Sequence, residues 1–225
     1  MPRQRYSGKL HRLVPSRFPA INLFEFARSA AELERLAIIE GYTNARLRNE
    51  VGDMSRVPAA QQRFGCGYSA IMAAFTHIGH PSRFSNGSYG VYYAGKTINT
   101  ALAEVSYHRA RFMAASQEVP SALAMREYVC RFVARVSSVS IDAANHPECL
   151  HPDPNHYGPA QEFGESQRAA DEMAIHFPSL RHSSGECFAV LRPDALQPAL
   201  QGGHYELLWD GATIVARYRL ARVAD

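Results

Sequence analysis

Three short runs carry the residues best suited to chemistry: Arg83-Phe84-Ser85-Asn86-Gly87, Gly90-Val91-Tyr92-Tyr93-Ala94 and Thr100-Ala101-Leu102-Ala103-Glu104. An Arg beside a polar loop can hold phosphate through charge-assisted hydrogen bonds. The aromatic stretch 89–94 reads as a strand, whose alternation sends one Tyr to the core and the other to a cleft. Thr97 is a suitable N-cap for a helix over 98–115. Glu104 falls on that helix between Leu102 and Val105, among the small residues Ala101 and Ala103. A carboxylate beside an apolar helix face is a better functional candidate than one on an open polar face. The competing reading of the same pattern is an exposed Glu near a helix start and a core tyrosine pair.

Other motifs are weaker. Gly65-Cys66-Gly67-Tyr68-Ser69-Ala70 matches G-x-G-x-x-A and leads into a predicted helix over 69–78. A dinucleotide fingerprint must also follow a strand, and residues 59–64 do not read as one. A turn capping a helix accounts for these glycines. His77 and His80 have H-x-x-H spacing, and His146, His151 and His156 crowd a loop expected to face solvent. Gly79 and Pro81 break the first pair, and no partner ligands stand in register, so no metal is expected. No G-x-S-x-G elbow occurs. Ser183-Ser184-Gly185 reads as a turn, and Cys187 as a small buried hydrophobe.

The elements that must position these groups follow from local pattern. Leu10–Pro19 reads as a strand or extended arm. Residues 22–40 read as helix, with a capping-box restart at Ser29-Ala-Ala-Glu32. Strands are expected over Met125–Ile141, Cys187–Leu191, Tyr205–Trp209 and Ile214–Leu220, the last two joined by the turn Asp210-Gly211, and Ile175–Pro178 reads as a short extended segment. A loop spans 142–158 and a helix 159–173. Mixed strands and helices without regular βαβ units imply an α+β fold with a twisted, mixed or antiparallel sheet. Residues 1–64 are set apart as an N-terminal helical extension packed on a 65–225 core, the whole forming one compact domain.

Bulk properties narrow the function. The chain has 225 residues, 46% hydrophobic and 20% charged, with formal net charge +3 and pI near 8.7. No basic stripe or reader motif is visible, which argues against nucleic-acid binding. Arg outnumbers Lys, which favours planar recognition of phosphate or carboxylate. Cys66, Cys130, Cys149 and Cys187 are scattered and read as reduced thiols of a cytoplasmic protein. No signal-peptide core or membrane-length apolar run stands in the sequence.

The run RFSNGSYGVYYAGKTINTALAEV resembles the central motif of the RES domain family, named for Arg, Glu and Ser. A second block, Phe177-Pro178-Ser179-Leu180-Arg181 followed by Gly185-Glu186-Cys187-Phe188-Ala189-Val190-Leu191-Arg192-Pro193, resembles the family's Ser block and its next strand. The ending Tyr205-Glu206-Leu207-Leu208-Trp209-Asp210-Gly211 is similar to longer members. The likeness runs from about His11-Arg12 to the C-terminus. His80-Pro81-Ser82 departs from it where glycine is expected before the Arg.

The resemblance implies an ADP-ribosyltransferase-like fold and consumption of NAD⁺ by hydrolysis, phosphorolysis or transfer to a protein. It implies Arg83, Tyr93, Glu104 and Ser179 as site residues. Tyr92 is the rival for the Tyr role, and Ser183 or Ser184 for the Ser. It implies no cofactor beyond NAD as substrate, and a toxin with an Xre-type antitoxin, as a homodimer or a toxin–antitoxin assembly. A protein of another class, a non-catalytic module binding a nucleotide or partner, is the competing reading.

Overall fold

The computed structural model describes residues 3–16, 27–33, 35, 53–133, 137–221 and 223. Nine strands form one sheet: β1 Arg3–Arg5, β2 Lys9–Pro15, β3 Tyr92–Gly95, β4 Ser121–Arg131, β5 Ser137–Ser140, β6 Ala174–Pro178, β7 Glu186–Val190, β8 Leu200–Trp209 and β9 Ile214–Leu220. Their spatial order is β1-β5-β6-β7-β3-β2-β4-β8-β9. β5 and β6 run parallel and every other neighbouring pair is antiparallel, so the sheet is mixed and the fold α+β. Helices α1 Ser69–Thr76, α2 Ile98–Ala115 and α3 Gly158–Ala169 flank it. Among the described residues no helix is long and apolar enough to cross a membrane.

Alternation along β3 divides the side chains between the two faces. Tyr92 and Ala94 join Phe188, Val190, Leu10 and Cys130 in one core cluster, with Ile71, Met72 and Phe75 of α1. Tyr93 turns the other way, with Cys187, Ala189, Ile175 and Phe177, towards Ala160 and Phe163 of α3. On that second face α2 places Ala101, Leu102 and Val105 over Leu13, Met125 and Leu207. Burial of these apolar side chains, at roughly 25 cal/mol per Å², is the main force holding the helices to the sheet.

Local signals set several boundaries. Thr97 caps α2 by accepting from the Thr100 amide. Ser29 Oγ accepts from the Glu32 amide at 3.2 Å, and residues 30–33 are helical, as the capping box predicts. Most of the helix expected over 22–40 lies outside the described residues. The strand expected over Met125–Ile141 is instead two, β4 and β5, which do not pair. Phe132 turns aside to bridge Leu196, and the Val133 amide donates to Ala195 O at 2.9 Å. β2 comes from the segment 1–64 set apart as an extension, yet it is an inner strand between β3 and β4.

Two glycines mark close approaches. A Cβ on Gly67 would meet Ala199 O at 2.6 Å, and its φ is +82°. That explains G-x-G-x-x-A without a nucleotide, since a 3₁₀ turn over Ala59–Gln61, not a strand, leads into it. A Cβ on Gly164 would run into the Phe84 carbonyl, so α3 seats directly on the loop that begins at Arg83.

Candidate active site

Glu104 lies on α2, its side chain a quarter exposed. Ser179 follows the last residue of β6, and its Oγ donates to Glu104 Oε1 at 2.5 Å. The Ser179 turn is closed from within. Its Oγ accepts from the Arg181 and His182 amides at 3.2 and 3.1 Å, and its own amide donates to Gly185 O. His182 Nδ1 meets Thr100 Oγ1 at 3.0 Å, one helical turn before Glu104. The turn is therefore fastened to α2 twice, through Glu104 and through Thr100. Glu104 Oε2 stands 3.9 Å from His108 Nε2, outside hydrogen-bond reach, and remains available to a ligand.

Cys187 Sγ sits 3.9 Å from Glu104 Oε1. Burial, and then the Glu104 charge, pushes its thiol well above the ordinary value, so it remains protonated and unsuited to nucleophilic attack.

Arg83 is buried, and its guanidinium is anchored. One Nη donates to Cys149 O at 2.9 Å and His151 O at 3.0 Å, and the other to Tyr157 Oη at 3.0 Å. It lies 4.3 Å from the Tyr157 ring centroid. Three of its five donors are committed, leaving two for a ligand. Its charge reaches the groups flanking Glu104, since it lowers the titration of both Cys187 and His108. His108 is held below its ordinary value by burial and by Arg181, Arg83 and Arg111, against Glu104.

Tyr93 Oη accepts from the Phe84 amide at 2.9 Å and meets Ser82 Oγ at 2.9 Å. β3 thus holds the Arg83 loop from beneath, and burial pushes the phenol up to about 12. Tyr92 is fully buried on the opposite face, with Arg12 4.7 Å over its ring and Cys130 Sγ bonded to its hydroxyl. Ser183 and Ser184 are exposed, and Ser184 Oγ turns back to Ser183 O. Tyr93 lies on the sheet face that α2 covers, and Ser179 bonds Glu104 directly.

A model of the RES domain matches residues 56–210. The chain belongs to the RES domain family. Arg83, Tyr93, Glu104 and Ser179 all fall inside the RES match. The RES chain is 30% identical over 216 residues to the uncharacterized protein y4oC of Sinorhizobium fredii, covering 93% of this chain and 86% of that protein. A solved structure, the M. tuberculosis MbcT–MbcA toxin–antitoxin complex, aligns over 93% of this chain and 88% of its own at 12% identity and a TM-score of 0.45.

Sequence reasoning missed several RES residues around the site. Tyr157 and Arg181 were not singled out. Arg181 lies 3.4 Å over the Tyr107 ring and bonds Pro152 O. His108, four residues after Glu104, was legible as an i,i+4 neighbour on one helix face. The loop histidines are not uniform. His151 and His156 are exposed, their rings tilted 41° with centroids 4.3 Å apart, whereas His146 is half-buried on Phe163, because α3 comes close beneath it.

Proposed function

We propose that this RES protein cleaves NAD⁺ at its nicotinamide–ribose bond, as an NAD glycohydrolase or phosphorylase, and acts as a toxin paired with an Xre-type antitoxin. The observation that carries the chemistry is the 2.5 Å Ser179–Glu104 hydrogen bond beside the anchored Arg83. The toxin role and its partner rest on the family resemblance, as does the ADP-ribosyltransferase-like likeness.

Heterolysis sends the C–N bonding electrons to the nicotinamide nitrogen. Neutral nicotinamide leaves, and positive charge develops on the ribose. Glu104 stabilises that charge, its Oε2 accepting a ribose hydroxyl while Ser179 fixes Oε1. Arg83 turns its two spare donors to the diphosphate. Tyr93 packs at the ribose–nicotinamide end and excludes water. Water, phosphate or a protein side chain then takes the ribosyl carbon.

Free nicotinamide released from NAD⁺ by the purified protein is the direct test. Glu104→Gln should slow release by about a hundredfold to a thousandfold. Parent-like release by Glu104→Gln would overturn the assignment, and NAD binding without nicotinamide would favour a binding module. The second product names the acceptor: ADP-ribose for water, ADP-ribose 1″-phosphate for phosphate, added protein mass for transfer. Toxicity on expression, relieved by a co-expressed Xre-type protein, tests the partner.

A further inference from the structure

We propose that the turn 146–149 is a binding site for a soft divalent cation of the zinc class, held by His146 Nδ1, a Glu148 carboxylate oxygen and the Cys149 sulfur. These three ligand atoms lie within 4.8 Å of one another. Glu148 and Cys149 lie in a 3₁₀ turn, Pro147–Leu150, that opens on proline, and His146 immediately precedes it, so the backbone holds the three residues together. Imidazole, carboxylate and thiolate together form a donor set suited to zinc.

Two of the three ligand separations lie close to those a bound metal sets. Glu148 Oε1 lies 2.9 Å from His146 Nδ1 and 4.0 Å from Cys149 Sγ. Tetrahedral zinc, with bonds of about 2.0 Å to N and O and 2.3 Å to S, sets these separations at roughly 3.3 and 3.5 Å. The first observed distance is too short and the second too long by similar amounts. Moving the Glu148 oxygen by roughly 0.6–0.8 Å away from His146, parallel to the line from the His146 nitrogen to the Cys149 sulfur, corrects both. Glu148 is half-exposed and free to make that movement.

The charges balance as well. Binding releases the thiol proton to solvent, and the imidazole coordinates through Nδ1 as the tautomer that carries its proton on Nε2. Thiolate and carboxylate then neutralise the dication, and one coordination position is left for water.

The turn also supports Arg83, because Cys149 O accepts from its guanidinium at 2.9 Å. A cation on the Cys149 sulfur would fasten the turn that seats this arginine. The site needs nothing from the NAD reading, and its test measures only the metal.

Titrate the full chain carrying Cys66→Ser, which removes the exposed thiol, with Co²⁺. The expected result is one equivalent bound, with a near-ultraviolet thiolate-to-cobalt band that equimolar Zn²⁺ erases. His146→Asn and Glu148→Gln should each weaken binding at least about tenfold. Cys149→Ser should remove the band. Because Cys149 is fully buried and its replacement can disturb folding, the half-exposed Glu148 supplies the decisive variant. No band at saturating Co²⁺, or unchanged affinity in His146→Asn and Glu148→Gln, would overturn the proposal.

Discussion

Ser179 Oγ and Glu104 Oε1 meet at 2.5 Å although 75 positions separate them in the chain. The bond is charge-assisted, and such bonds contribute about 1.5–3 kcal/mol. Ser179→Ala removes it and also strips the Arg181 and His182 amides of their acceptor. Turnover of NAD⁺ should fall about tenfold to a hundredfold, mainly in kcat, because the carboxylate loses its fixed orientation. A change confined to KM would show that Ser179 serves binding alone.

Arg83→Lys keeps the charge and loses the fork. One ammonium cannot reproduce the bonds to Cys149 O, His151 O and Tyr157 Oη together. Stability should fall by about 2–3 kcal/mol, read as a lower Cm in urea, and NAD⁺ should bind at least about tenfold more weakly. A variant with the parent's Cm would show that the anchor contributes nothing.

The tyrosines at 92 and 93 predict opposite outcomes for the same substitution. Tyr93→Phe leaves the Phe84 amide without its acceptor and frees the Arg83 loop, so KM should rise with a stability loss of about 1–2 kcal/mol. Tyr92→Phe removes a weak contact from Cys130 Sγ inside the other core and should leave NAD⁺ cleavage unchanged. If the two variants exchanged phenotypes, the assignment of faces would be reversed.

The alternation that separates these tyrosines was legible in the sequence, as were α2 with its Thr97 cap and β9, because short-range signals set each of them. Arg83 was legible as a candidate, but not its partners. Cys149, His151 and Tyr157 come from a loop 66 to 74 positions away, and nothing local announces that meeting. The break between β4 and β5 was hidden for a related reason. Tyr128, Cys130 and Phe132 continue the alternation, and only the tertiary pairing of Phe132 with Leu196 turns the chain aside. Which face each tyrosine takes follows from the β3–β7 register, which sets Tyr93 opposite Ala189 and on the same face as Cys187.

Stability should decline in acid through a cluster on the other sheet face. His176 Nε2 meets Glu186 Oε2 at 2.8 Å, and Lys96 Nζ bonds Glu186 Oε1 at 2.7 Å. Burial lowers the His176 titration although Glu186 opposes it, and the bond from Lys96, followed by that from His176, lowers Glu186. Both depressed groups bind fewer protons folded than unfolded. Their contribution is complete above about pH 6.5 and is lost as pH falls through the His and then the carboxylate range. Melting curves from pH 7.5 to 4.5 should show Tm falling, with a smaller slope in His176→Gln. Equal slopes in the two proteins would place the acid sensitivity elsewhere.

The inner position of β2 bears on how the chain is made. Lys9 pairs with Arg131 and Pro15 with Met125, so β2 waits for its β4 partner until more than a hundred further residues are translated. Until then β2 has only β3 beside it. Contacts this distant in sequence slow folding and leave apolar strand edges exposed in the interval. On the ribosome, the sheet that seats Tyr93 can close only once the β4 segment has emerged. The nascent protein therefore passes through a stage in which one edge of β2 is open.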